Sequence, residues 1–150
     1  MSNPRGFWFL IIVGVILNVL FLAGQTLSLF DHDLTVALGL QESEAEISAV
    51  GIAFAKGFAF GDTVCYIPLF ALGIVGLLRR RAWGLFSMLG ALAITVYWPL
   101  VHLYAIYAGK EIMHLSDEKY LSYSIILPLV ALYGLWGMWF LYRNRSGLSA

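Results

Sequence analysis

Lys56 and Asp62 are ionisable residues inside an otherwise apolar stretch that runs from Ile47 to Leu78. A charge at the centre of a transmembrane helix costs at least about 2.5–3.5 kcal/mol, so such residues usually have a partner, contact water or carry out a task. Lys56 is long enough to extend to the membrane interface, whereas the short side chain of Asp62 is not. Asp62 is therefore the stronger candidate for binding a ligand or holding a proton.

The spacing of Lys56 and Asp62 prevents a good salt bridge between them on one straight helix. They are about 9 Å apart along the axis and about 120° apart around it. Gly57 and Gly61 lie between their two directions, at the four-residue spacing that lets two helix backbones approach closely. We expect one helix to pack on this glycine face, with Lys56 on one flank and Asp62 on the other.

The composition indicates that membrane-spanning segments position these residues, because 61% of the chain is hydrophobic and only 12% is charged. Four apolar runs each exceed the roughly 20 residues needed to span a bilayer core. Lipid offers no hydrogen bonds to the backbone, so these runs must be helical. We predict an all-α integral membrane protein, a single domain 1–150 that forms an antiparallel bundle of four transmembrane helices. Their predicted limits are about 4–30, 44–78, 82–108 and 117–143.

Local signals mark several helix ends. Asn3 and Pro4 suit an N-cap followed by proline at the first helical position. Ser43 followed by Glu46 is a capping-box pattern that would begin the second helix. The longest irregular stretch is Asp31–Gln41, whose apolar portion we expect to lie along the outer interface.

The basic residues predict the orientation. All six arginines fall at one set of helix ends, whereas the connections at the opposite ends carry the acidic residues. Because cytoplasmic loops are enriched in lysine and arginine, both termini are expected in the cytoplasm. We interpret the chain as a multi-pass protein of a bacterial inner membrane.

Depth along each helix suggests which polar side chains meet. Asn18 and Gln25 are two turns apart on the first helix, and on the third Tyr97 falls near the midplane and His102 in the outer half. We predict a polar seam that opens outward and ends near Asp62. The proposed binding residues of this seam are Asp62, Lys56, Asn18, Gln25, His102 and Tyr97.

Other chemistries lack support in the sequence. The single cysteine excludes an intrachain disulfide, and the three histidines match no compact metal motif. Haem held between helices would need two facing buried histidines, and only His102 qualifies. We predict no metal and no cofactor. Nucleic-acid binding is excluded because the chain has no basic soluble surface.

Three functions remain open. The first is binding or conduction of a small polar species or protons through the seam. The second is an accessory or structural subunit of a larger membrane complex, or a homo-oligomer, that assembles through the Gly57/Gly61 face. The third is a membrane-embedded enzyme that acts on a lipid or isoprenoid, with Asp62 and His102 as acid and base. The lipid bilayer is an expected partner in each case.

Overall fold

The computed structural model describes residues 4–145, which form helices joined by short connections with no β-strand in that range. Four helices are long and apolar enough to cross a membrane, which confirms the predicted all-helical membrane class. The helices are α1 (Pro4–Phe30), α2 (His32–Ala37), α3 (Glu44–Leu78), α4 (Ala82–Ala108) and α5 (Asp117–Asn144). Asn3, the predicted N-cap of the first helix, lies outside the described residues.

The two ends of the long helices differ in charge. We call the end that carries Arg5, Arg79–Arg81 and Arg143 the arginine end, and the opposite end, which carries most of the carboxylates, the acidic end. Large apolar side chains such as Phe54 and Phe86 are mostly exposed along the helices. This outward apolar surface is what contact with lipid requires.

Helices α1 and α3 each contain one π-helical segment, Leu22–Thr26 and Asp62–Tyr66 respectively. In α3 this segment comes just before Pro68, which has no N–H to donate. The two segments lie beside each other, and the hydroxyls of Thr26 and Thr63 are hydrogen-bonded at 2.9 Å. Single π-helical turns inside α-helices are frequent at functional sites.

The start of α3 has the predicted capping box, with the Ser43 N–H donating to Glu46 Oε2 at 2.8 Å. The other carboxylate oxygen of Glu46 pairs with Lys119 Nζ at 2.5 Å, which joins α3 to the start of α5. The helix is nevertheless broken at Ser48, where φ is 66° and ψ is 166°. The predicted start of this helix agrees with the structure, and the break at Ser48 is a local feature that the sequence did not predict.

The connection between α1 and α3 is more ordered than expected. Asp31 caps α2 by accepting a hydrogen bond from the Leu34 N–H at 2.9 Å, so part of the stretch predicted to be irregular is helical. Gln41 is buried, and its Nε2 donates to the carbonyl of Gly24 at 3.0 Å. Because Gly24 belongs to the π-helical segment of α1, this bond holds the connection against that helix.

Helices α3 and α4 approach most closely near the arginine end. A Cβ atom on Gly73 would lie 2.8 Å from the Cα of Met88, and one on Gly76 would lie 2.3 Å from the Cα of Gly84. The part of α3 before its π-helical segment makes few close contacts with α4, so the two helices separate toward the acidic end.

The glycine face predicted to receive a helix is open in the described chain. No heavy atom lies within 4 Å of a Cβ built on Gly57 or Gly61, apart from the local atoms of α3 itself. The expectation that a helix of this chain packs there is therefore wrong. The close contacts with α4 formed instead at Gly73 and Gly76, which are three residues apart and lack the four-residue spacing of Gly57 and Gly61.

Helix α5 packs against α4 and also reaches α1. A Cβ on Gly134 would meet the Val96 side chain at 2.7 Å, and the Tyr133 hydroxyl donates to the Leu10 carbonyl at 2.7 Å. The main core lies among the four long helices toward the arginine end. Its fully buried side chains include Leu10, Phe70, Leu77, Met88, Leu92 and Leu141.

Candidate functional site

Asp62 occupies the first position of the π-helical segment of α3, where that helix begins to separate from α4. Its side chain is only 7% exposed. The carboxylate oxygen Oδ2 has no hydrogen-bond partner within residues 4–145. A buried acceptor without a partner is costly, so this carboxyl group is poised to receive a donor or a positive charge.

Asp62 is one of the residues that line a groove between α3 and α4, with a volume of about 570 Å³. We call this space the groove. Gly57 and Gly61 form its floor, and its walls are aromatic. The aromatic residues of the groove are Phe54, Phe58, Tyr66, Tyr97 and Trp98. Tyr97 is 65% exposed and Phe54 is 68% exposed, so the groove faces the lipid side of the helices.

A second, smaller space of about 180 Å³ lies nearer the acidic end. We call it the polar cavity, because side chains from α1, α4, α5 and the α1–α3 connection bring polar groups to it. These polar residues are Gln25, Gln41, Glu42, His102 and Tyr123. The groove and the polar cavity share Phe58, Tyr97 and Trp98 as a common wall.

Glu42 is held in the polar cavity by contacts on both its side chain and its backbone. The Tyr123 hydroxyl donates a hydrogen bond to Glu42 Oε1. The Nε2 atom of His32 is 3.1 Å from the Glu42 carbonyl oxygen. The His102 ring meets the Tyr123 ring edge to face with centroids 5.5 Å apart and stacks on Trp98 with centroids 5.1 Å apart. The cavity therefore contains a carboxylate and an imidazole that both contact Tyr123.

The structure brings together only part of the predicted seam. Gln25, His102 and Tyr97 share the polar cavity, and Tyr97 also borders the groove with Asp62. Asn18 contributes to neither space, although its Oδ1 is buried without a hydrogen-bond partner among the described residues. Neither Asn18 nor a tyrosine forms a hydrogen bond with Asp62 Oδ2 in residues 4–145.

Lys56 lies apart from the groove and the polar cavity. Its side chain is exposed and borders a separate space at the acidic end, together with Asp31, Asp33 and Glu44. This is the extended arrangement toward the interface that a long lysine side chain permits. Lys56 and Asp62 therefore do not belong to one site.

Glu42, Gln41 and Tyr123 were not among the predicted site residues. In the sequence, Glu42 is one of several acidic residues between the first two long helices, and Tyr123 is one of several tyrosines near the same ends of the helices. One available signal was the Gln41–Glu42 pair itself, which ends the apolar stretch Leu34–Leu40 just before a capping box. Their meeting with His102 depends on how the connection folds back.

Asp62 and His102, which were predicted as a possible acid and base, do not line the same space. His102 borders the polar cavity and Asp62 borders the groove, with aromatic side chains between the two spaces. Among residues 4–145, no group of three or more His, Cys, Asp or Glu side chains is placed to hold a metal ion. Comparisons of the chain with models of protein families, with curated proteins and with solved structures found no match.

Proposed function

We propose that this multi-pass membrane protein binds a small polar species in the polar cavity at the acidic end of its helices. The observation that supports this is the convergence of Gln25, Glu42, His102 and Tyr123, from four different parts of the chain, on one space. Polar groups beside a membrane are costly unless they have partners, so their collection in one cavity favours a ligand that bonds to them.

The arrangement favours a cation or a hydrogen-bond donor as the ligand. Glu42 contributes a carboxylate, and only its Oε1 accepts from Tyr123. The Gln25 side-chain oxygen and the imidazole of His102 add further groups that can accept hydrogen bonds. A volume of about 180 Å³ limits the ligand to a small solute.

The packing at the arginine end favours binding over conduction. Leu10, Phe70 and Leu92 are fully buried there, and α3 and α4 meet backbone to backbone at Gly76 and Gly84. A conducting path would have to continue through this close-packed apolar core. We therefore propose a site that is entered from the acidic end.

The charge pattern supports an orientation for this site. The arginines at one end favour cytoplasmic termini, which would open the polar cavity to the opposite side of a bacterial inner membrane. The proposed arrangement is one antiparallel bundle of the four long helices.

Ligand-dependent thermal stability of the purified protein tests the proposal. The probes are ammonium, methylammonium, guanidinium, sodium, potassium and glycerol, each titrated into detergent-solubilised protein. A ligand that binds only the folded state raises the midpoint of unfolding as its concentration exceeds Kd. We expect at least one probe to do so, and Glu42→Gln to weaken its binding about tenfold or more.

The matched control is Glu111→Gln, which neutralises an exposed glutamate of the α4–α5 connection outside the polar cavity. This variant should respond to the ligand as the wild type does. The proposal fails if none of the probes shifts the midpoint, or if Glu42→Gln and Glu111→Gln respond alike.

A further inference from the structure

The groove carries a second inference, which does not depend on a ligand in the polar cavity. It contains Asp62, a side chain that is 7% exposed and whose Oδ2 lacks a hydrogen-bond partner in the described chain. It also contains the open glycine floor, where no other part of residues 4–145 packs against Gly57 or Gly61. A buried carboxylate oxygen without a hydrogen-bond partner and an uncovered surface therefore belong to adjacent residues of α3, Asp62 and Gly61.

The chemistry of the groove selects a particular class of ligand. A wholly apolar occupant would fill the space but would leave the Asp62 carboxyl group without a partner, which is costly. A small hydrophilic ion would pair with Asp62 but would leave the aromatic walls uncovered. A ligand with one positive charge surrounded by apolar groups satisfies both requirements, since cations are also attracted to the faces of aromatic rings.

We propose that the groove is a binding site for lipophilic cations, with Asp62 as the counter-ion and with Phe54, Phe58, Tyr97 and Trp98 as the apolar walls. The volume of about 570 Å³ lies within the range of sites that hold small organic molecules. Because Phe54 and Tyr97 are largely exposed on the lipid side, such a ligand enters sideways from the membrane.

The first experiment measures binding of tetraphenylphosphonium to the full-length protein in lipid nanodiscs by equilibrium dialysis, with empty nanodiscs as the background. Triphenylphosphine oxide is the neutral comparison. We expect the cation to bind the wild type at least about tenfold more tightly than the neutral compound. Equal binding of the two compounds, or no binding of the cation above background, would overturn the proposal.

Two kinds of variant locate the site. Asp62→Asn should weaken binding of the cation about tenfold or more, whereas Asp33→Asn, which alters an exposed carboxylate outside the groove, should not. If Asp62→Asn does not fold, Gly61→Leu keeps the carboxyl group and fills the floor, so it should also abolish binding. Its matched control is Ala93→Leu, at an exposed position of α4 that does not border the groove.

The native cysteine provides a direct readout. Cys65 is the only cysteine of the chain, is exposed and borders the groove. Bound tetraphenylphosphonium should slow its reaction with a maleimide in the wild type and have no effect in Asp62→Asn.

Protection of Cys65 before any cation is added, or a disulfide between Cys65 of two copies, would show that a protein surface covers the groove. If Glu42→Gln abolished cation binding and Asp62→Asn did not, the cation would bind in the polar cavity and not in the groove. Any of these last results would overturn the proposal.

Discussion

A Cβ atom on Gly76 would lie 2.3 Å from the Cα atom of Gly84, so α3 and α4 are in backbone contact near the arginine end. The same two helices separate from the π-helical segment Asp62–Tyr66 toward the acidic end. Gly57 and Gly61 lie in that part of α3 and face open space. The groove therefore results from a tight crossing at one end and a local change in helical pitch in the middle. The close pair, Gly76 and Gly84, and the open pair, Gly57 and Gly61, should therefore differ in how an added methyl group changes the stability of the protein.

Gly76→Ala should destabilise the protein by about 1–3 kcal/mol, because its methyl group has no room beside Gly84. Gly57→Ala is the matched control, since nothing lies within 4 Å of its added methyl group. Alanine has the higher helix propensity, so this control should be neutral or slightly stabilising. Thermal unfolding followed by circular dichroism in detergent provides the measurement, and equal effects of the two variants would contradict the close crossing.

Ser48→Gly should stabilise the protein by about 1 kcal/mol. The backbone of Ser48, with φ 66° and ψ 166°, lies in a region that is adopted almost only by glycine. The same substitution at Ser124, inside the regular helix α5, should have the opposite sign because glycine disfavours a regular helix. Chemical unfolding would measure the change in the free energy of unfolding for Ser48→Gly and for Ser124→Gly. Destabilisation by both substitutions would argue against the break in α3.

Tyr133→Phe should cost about 0.6 kcal/mol, and at most about 1.7 kcal/mol, which are the average and the maximum measured for hydrogen bonds between membrane helices. The lost bond is the one from the Tyr133 hydroxyl to the Leu10 carbonyl at 2.7 Å, which links α5 to α1. Tyr107→Phe is the control, because Tyr107 is 79% exposed. If the two variants unfold at the same temperature, the link between α1 and α5 is absent.

The pair of Glu46 and Lys119 should show a coupling of about 0.2–1 kcal/mol in a double-mutant cycle with Glu46→Gln and Lys119→Met. Their charged atoms are 2.5 Å apart and both side chains are partly exposed. Salt screens exposed charges, so the coupling should fall when the cycle is repeated at about 1 M salt. A parallel cycle with Glu44→Gln should give no coupling, because Glu44 is not paired with Lys119.

The protein reconstituted in lipid vesicles should bind the ligand of the polar cavity without carrying it across the membrane. The core around Phe70 and Leu92 is fully buried and apolar, so a polar solute has no hydrated route to the arginine end. Vesicles that contain a pH-sensitive dye and are placed in an ammonium gradient should respond no faster than protein-free vesicles. A faster response that Glu42→Gln abolishes would replace binding with conduction as the function of the cavity.

The sequence by itself determined the membrane class and the four apolar helices, because both follow from length and hydrophobicity within single segments. It also identified the capping box at Ser43 and Glu46, whose atoms are only three residues apart. It singled out Asp62 as a costly residue, and the structure places that side chain in a buried position without a hydrogen-bond partner for Oδ2 in the described chain.

Only the tertiary structure decided which side chains share a site. Gly57 and Gly61 have the spacing typical of helix contacts, yet the close crossing formed at Gly76 because its partner, Gly84, is equally small. Glu42 lines the same cavity as His102, and the neighbouring Gln41 anchors the connection to the carbonyl of Gly24. These contacts join residues far apart in the chain, and their energies depend on atoms of other helices that no local pattern contains.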